Sequence, residues 1–422
     1  MLLMASLPFD RFYSHIILIS YAIHTLIHLK KGDVKRVFNL QTLLLQSVFL
    51  VTVLGTIYTH TPGEAFTEWG KQITIFIFPV FFCLNPLDLK KYKPQLLLAF
   101  ALICTTTVVY LFADVFKTMH HYHLPYGAMF SGAFTNHNFS EPIDMHATFF
   151  SMQIVLSLTC LLTLLIKERS VSKRLFYFIC SVILAAGLLQ LCSKSALLAF
   201  LVIVNFAIPW FMLKGVGRRR FVLVSISLTL LLFAGILRSG TFRERFINEL
   251  TLDLSKPTAG ETEDGRLARW DVAARLIKQA PVFGYGSGSE IGLLQDAFYL
   301  KKLYNSYLNR LNVHGQYLSF LLKTGILGLL IYLATLAFGF RIAFKQKDLF
   351  FFAFMMLIAI VSLSENLLDV DKGIFFYAFF FSFFAFSAES LKKDVLNHGK
   401  TLLPAGKEDL AERPLEEPVS VG

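Results

Sequence analysis

Charge is scarce in this sequence: Asp, Glu, Lys and Arg make up 16% of its 422 residues, against about 25% in a soluble domain. With 55% hydrophobic residues, a soluble chain would lack the polar groups to cover its surface, so the bilayer is the solvent that such a composition fits. Period-two alternation is missing from the apolar runs, which excludes a β-barrel. No C-x-x-C spacing occurs, and Cys83, Cys104, Cys160, Cys180 and Cys192 fall in or beside apolar runs as small hydrophobes. The opening MLLMASLPFDRFYSH lacks a basic n-region followed by a small-residue cleavage site, so no cleaved signal peptide is expected and insertion falls to the spans. The net charge of +11 sits in short clusters between apolar runs, without a recognition module, so nucleic acid is not an expected partner.

What is present is a succession of long apolar runs. Backbone groups in lipid must be satisfied internally, so such runs are helices. Eleven are expected, near 12–29, 39–58, 66–84, 95–116, 145–166, 174–191, 195–213, 221–237, 325–344, 348–363 and 373–389. The fold class is all-α, a polytopic transmembrane helical bundle. Loops rich in Lys and Arg (Lys30, Lys31, Lys35, Arg36; Lys90, Lys91, Lys93; Lys167, Arg169, Lys173, Arg174; Lys214, Arg218 to Arg220; Arg341, Lys345, Lys347) alternate with loops nearly free of them. The excess of basic residues on the cytoplasmic side assigns the former to the cytoplasm and the latter to the outside.

Four regions follow: N-terminal spans over 1–237, an outward-facing helical loop over 238–324, C-terminal spans over 325–390, and a polar tail over 391–422 expected to be disordered. The loop is too long to be structureless. Within it DGRLARWDVAARLIKQAP spaces Leu267, Trp270, Ala274 and Ile277 as an amphipathic helix lying on the membrane surface, ended by Pro281.

Several polar residues stand out against this apolar background. Arg266 and Arg269 lie three apart on one helix face, which suits either a salt-bridged solvated face or a grip on phosphate oxygens. Gly284, Gly286 and Gly288 follow no strand, so they serve a tight turn rather than a dinucleotide fold. His314 stands where the chain re-enters the membrane, either as a polar cap or as a base that takes a proton from a hydroxyl without a metal. Thr324, Gly325 and Gly328 mark a close packing or a break in the helix that follows. Lys194 lies between two spans at the outer face, snorkelling or facing a polar cavity. Glu365 ends another span, paired or facing water. His120, His121, His123, His137 and His146 have the residue type of metal ligands but irregular spacing and no consistent acidic or cysteine partner.

Three segments, SKSALLA, GRLARWDVAARLIKQAPVFGYGSG and HGQYLSFLLKTGILG, occur in that order. In order and topology they resemble the O-antigen ligase and polymerase superfamily of bacterial envelope glycosyltransferases. The resemblance implies a metal-independent, inverting transfer, without a cofactor, at the outer face of the bacterial inner membrane. The donor would be a glycan on a polyprenyl diphosphate and the acceptor a hydroxyl of lipid A core or another glycan. It implies that Arg266 holds the donor diphosphate and that His314 activates the acceptor. Lys194 stands at a family arginine position and Gly315 at one often filled by Asn, while eleven spans replace the usual twelve. Ligase is the preferred reading. Polymerase, transfer onto protein and membrane transport are the alternatives, and the scarcity of charge within the spans counts against transport.

Overall fold

The computed structural model describes residues 1–9, 11–29, 34–85, 88–255 and 264–401, the side chains of Arg11 and of residues 389–401 excepted. Among them every regular element is a helix. Each of the eleven expected spans coincides with one. Seven helices are long and apolar enough to cross a membrane: Leu89–His121, Ala147–Lys167, Val171–Gln190, Lys194–Met212, Gly215–Arg238, Gln316–Gln346 and Asp371–Ala388. Phe12–Ile27, Leu40–Gly55 and Leu349–Val361 are shorter apolar helices, and the eleventh, Pro62–Leu84, carries Glu64, Glu68 and Lys71 in its first half. Asn39, Asp88, His146 and Asp348 start their helices by accepting first-turn backbone N–H groups. The protein is a polytopic helical membrane protein.

Burial sorts these helices. Ala147–Lys167 is buried on all sides and sits at the centre. Asp371–Thr401 packs a phenylalanine ladder, Phe376, Phe380 and Phe384, against Phe354 and Phe100, with ring centroids 5.1 to 6.1 Å apart. Gly215–Arg238 buries only Ser225 and Ile236 and leaves Leu223, Val224, Leu228, Leu230 and Leu231 exposed, the apolar surface a lipid-facing helix needs. Residues 391–401, expected to be disordered, continue the last helix. The rest of that tail lies outside the described residues.

The long loop is helical, with Arg266–Gln279, Glu290–Leu300 and Tyr304–Leu308. Helix Arg266–Gln279 is not turned as the apolar spacing predicted. Ala268, Arg269, Val272 and Ala273 are buried, against Leu294, Phe298, Val313 and Leu322, whereas Leu267 and Ala274 are exposed. Interior packing within a small subdomain sets the buried face here. A buried arginine breaks the stripe that sequence spacing follows.

The glycine turn joins this subdomain to the bundle. Helix Gln316–Gln346 is broken at Gly325, whose φ is 63°. The turn enters the break and takes over its backbone groups: Tyr285 and Gly286 donate to the carbonyls of Leu322 and Lys323, and Ile326 donates to that of Pro281. A Cβ on Gly325 would lie 2.2 Å from the Val282 carbonyl oxygen, and one on Gly286 (φ 93°) 2.6 Å from Thr59. Glycine is required at both positions. Beside the turn, Lys323 is buried among Asp369 (2.7 Å), Glu68 (3.3 Å) and Glu290 (3.9 Å). Burial and the neighbouring Asp369 raise the carboxyl pKa of Glu290 against the pull of Lys323.

These bonds also gather the loops poor in basic residues at one end of the bundle. The loop after Gly55 meets the glycine turn through Tyr58, Thr59 and Ser287, and Arg266 reaches the Ser364 carbonyl across 3.0 Å.

Candidate active site

Three features of the backbone bring distant side chains together at that end. Lys194 is the first residue of its helix, directly after a turn in which Cys192 has φ 51°. Gly265 caps the helix that Arg266 begins; a Cβ there would meet the Leu252 carbonyl oxygen at 2.7 Å, so this glycine lets Arg266 approach the segment bearing Asp253. His314 has φ 48°, rare outside glycine and costing about 1–3 kcal/mol. Its neighbours hold that conformation. The His314 N–H donates to Asn312 Oδ1 (2.9 Å) and the Gly315 N–H to Asn366 Oδ1 (2.8 Å). Val313 donates to Glu290 and accepts from Trp270 Nε1.

Lys194, Arg266 and His314 line one cavity of about 500 Å³. Around them lies a chain of ion pairs. Lys194 Nζ is 3.4 Å from Glu249 and 3.8 Å from Asp253; Arg266 Nε is 3.4 Å from Asp253, and its Nη2 is 4.0 Å from Glu365. Arg245 binds Glu249 at 2.8 Å. Three cations (Lys194, Arg245, Arg266) thus face three carboxylates (Glu249, Asp253, Glu365), which balances the cavity's formal charge while its histidines are neutral. Apolar side chains, Leu197, Leu198, Leu201, Phe233, Ile236 and Leu250, share the lining.

Glu365 is the polar hub. Its Oε2 lies 3.7 Å from His314 Nδ1, an ion-pair distance just beyond hydrogen bonding. Burial pushes its carboxyl pKa up, but His314, Arg266 and His146 together outweigh burial and hold it below the usual carboxylate range. His146, immediately before helix Ala147–Lys167, is lowered to about 4, by burial first and then by His137 and His314, against Glu365. Burial also lowers His137. Both rings line the cavity.

Of Lys194, Arg266, Arg269 and His314, Arg269 alone is not brought into the cavity lining, and of the other polar residues singled out from the sequence Glu365, His137 and His146 are in it while His120, His121 and His123 are not. Arg269 is 5% exposed, and among the described residues its Nε and Nη1 have no hydrogen-bond partner. Burial and the adjacent Arg266 lower its pKa to about 10, which leaves it cationic at neutral pH. Arg245, Glu249 and Asp253 were missed. Their spacing of four and eight, in RERFINELTLD, is the signal that puts them on one helix face. Among the described residues no three or more His, Cys, Asp or Glu side chains are grouped as metal ligands would be.

Fold and cavity together define a helical membrane protein with an amphipathic site at one end of its bundle. Residues 179–333 match the family model of the O-antigen ligase, which supports the O-antigen ligase superfamily for this chain. That stretch includes Lys194, Arg266, Arg269 and His314 and ends before Glu365. The family supports a ligase- or polymerase-type function in general, with lipid-linked glycan substrates in a membrane context. No curated protein matches the chain.

Proposed function

We propose that this protein is an O-antigen ligase-like glycosyltransferase that moves a glycan from a polyprenyl diphosphate to an acceptor hydroxyl, of lipid A core or a similar glycan, at the periplasmic face of the inner membrane. The observation that carries this reading is the convergence of Lys194, Arg266 and His314, spread over 120 positions of the chain, on one cavity lined by both charged and apolar side chains. A lipid diphosphate combines the same two characters.

The step would run as follows. An acceptor hydroxyl gives its proton to His314 as its oxygen attacks C1 of the donor sugar; the bond from C1 to the diphosphate breaks, and the diphosphate leaves with the electron pair. C1 inverts. Arg266 and Lys194 take the charge that develops on the leaving oxygens. Glu365 is a positioning residue: facing Nδ1, it orients the ring with Nε2 towards the acceptor and stabilises the imidazolium as it forms. To hold the diphosphate, Arg266 and Lys194 exchange Asp253 and Glu249 for phosphate oxygens. Arg269, buried beside Arg266, adds positive potential from outside the cavity.

The test is glycan transfer by purified protein supplied with lipid-linked glycan and acceptor. Transfer lost in His314→Ala, with the donor still bound, agrees with the reading; substantial transfer by His314→Gln removes His314 as the base. A second reading, the polymerase of the same superfamily, uses the same residues. Envelope glycans of a deletion strain separate the two. Loss of all capped lipid A core with long lipid-linked chains accumulating indicates a ligase, and loss of chain length with single units still attached indicates a polymerase. No change in any glycan would favour transport.

A further inference from the structure

One corner of the cavity has no part in the step above. It is made by His137, His146, Asn136 and Thr148, which come from the connection into helix Ala147–Lys167 and the first turn of that helix and lie outside the stretch that matches the family. The polar side chains here differ from Lys194, Arg245, Glu249, Asp253, Arg266 and Glu365 of the same lining in carrying no charge. His146 Nδ1 accepts the Thr148 N–H at 3.3 Å and His137 Nδ1 accepts the Ala147 N–H at 3.4 Å. A neutral imidazole that accepts at one nitrogen carries its proton on the other, so each ring keeps an Nε2–H donor. Among the described residues neither Nε2 has a hydrogen-bond partner. The two rings stand 4.2 Å apart, and Phe149 backs His146 at 4.9 Å.

From this arrangement we infer a sugar subsite: His146, His137 and Asn136 receive the hydroxyls of a pyranose ring beside His314 and Glu365. Uncharged donors suit neutral hydroxyls, which accept hydrogen bonds without needing a counter-charge. An imidazole face also offers the flat, apolar contact that the C–H face of a pyranose makes. A diphosphate, by contrast, is drawn to the guanidinium and ammonium groups of Arg266 and Lys194. His146 also stays uncharged well below neutral pH, so its donor pattern is constant over the working range. The ring it receives belongs either to the donor, next to the diphosphate, or to the acceptor. This inference rests on the transfer reading above.

His146→Asn separates ligand recognition from helix capping, because asparagine caps a helix start at least as well but does not reach as far into the cavity. Asn136→Gly is the independent second variant: it keeps the positive φ of 58° and deletes the amide. Binding of two probes is measured on the full chain in detergent micelles, a polyprenyl diphosphate and the same lipid carrying one N-acetylhexosamine, together with KM for the acceptor in the transfer assay. The expected result is an unchanged melting temperature and unchanged binding of the bare diphosphate. With these goes about a tenfold loss, the scale of one or two hydrogen bonds, in one of two readouts. Loss for the sugar-bearing lipid places the donor ring in the subsite; a raised acceptor KM places the acceptor ring there. No change in either overturns the inference, as does an equal loss for both lipids. If the wild type binds neither lipid, the transfer reading itself falls. If it binds both equally and neither variant changes acceptor KM, the sugar subsite alone falls.

Discussion

At the scale of single residues, the site couples an imidazole, a carboxylate and a guanidinium through Glu365, and each makes a separable prediction. His314→Ala should abolish transfer. Glu365→Gln should lower the single-turnover rate with the donor still bound, because the imidazolium that forms as the ring takes the acceptor's proton loses its partner. Rapid-quench measurement of single-turnover rates checks both, and a wild-type rate in Glu365→Gln would separate Glu365 from the chemistry. Arg266→Lys should impair turnover severely in a folded protein, since an ammonium does not reproduce a two-pronged hold on phosphate oxygens. Arg269→Lys should be milder, because that side chain does not reach the cavity. Asp253 competes with the diphosphate for Arg266 and Lys194. Asp253→Asn should therefore tighten binding of a polyprenyl diphosphate several-fold at low salt, with the advantage shrinking as salt screens the charges.

At the scale of elements, the loop subdomain depends on two connections to the bundle. One is the glycine turn seated in the broken helix. Gly325→Ala forces a side chain against the Val282 carbonyl in a conformation that disfavours it, a strain of about 1–3 kcal/mol before any displacement of the turn. The melting temperature in detergent should fall, and transfer should fall with it. The other is Lys323, enclosed by Asp369, Glu68 and Glu290. Lys323→Met strands buried carboxylates, and removal of one partner from such a cluster costs roughly 3–5 kcal/mol. An unchanged melting temperature would mean that water already reaches these groups.

At the scale of the whole molecule, the loops poor in Lys and Arg share one end, while Lys93 and Asp348 pair beside the basic loops at the other. The orientation predicted from the positive-inside rule is that the cavity end faces outward. An impermeant thiol reagent applied to whole spheroplasts should label Lys301→Cys and leave Arg219→Cys unlabelled; both positions are exposed, and four of the five native cysteines are buried. The reverse pattern would turn the molecule over.

The spans are legible in the sequence because lipid leaves an apolar run one way to satisfy its backbone, and that constraint acts on each segment alone. Arg266 and His314 were legible for a different reason: their local motifs resemble those of a family, and the stretch containing them matches that family's model. Arg269 shows the limit of such local reading. Its spacing placed it on one helix face with Arg266, yet packing inside the loop subdomain turns it into the interior and breaks the apolar stripe that would have oriented the helix. The rest of the cavity depended on folding. Glu365, His137 and His146 lie on segments remote from the helix that carries Glu249 and Asp253, and the distances between these segments in the chain carry no shared period. They meet only because helix ends and loops are gathered at one end of the bundle, by a glycine turn filling a helix break and by backbone bonds between segments hundreds of residues apart. Interactions confined to one segment leave a mark in sequence order. Contacts between segments are decided by packing, and only the tertiary structure could bring an imidazole, the carboxylate facing it and three cations around one space.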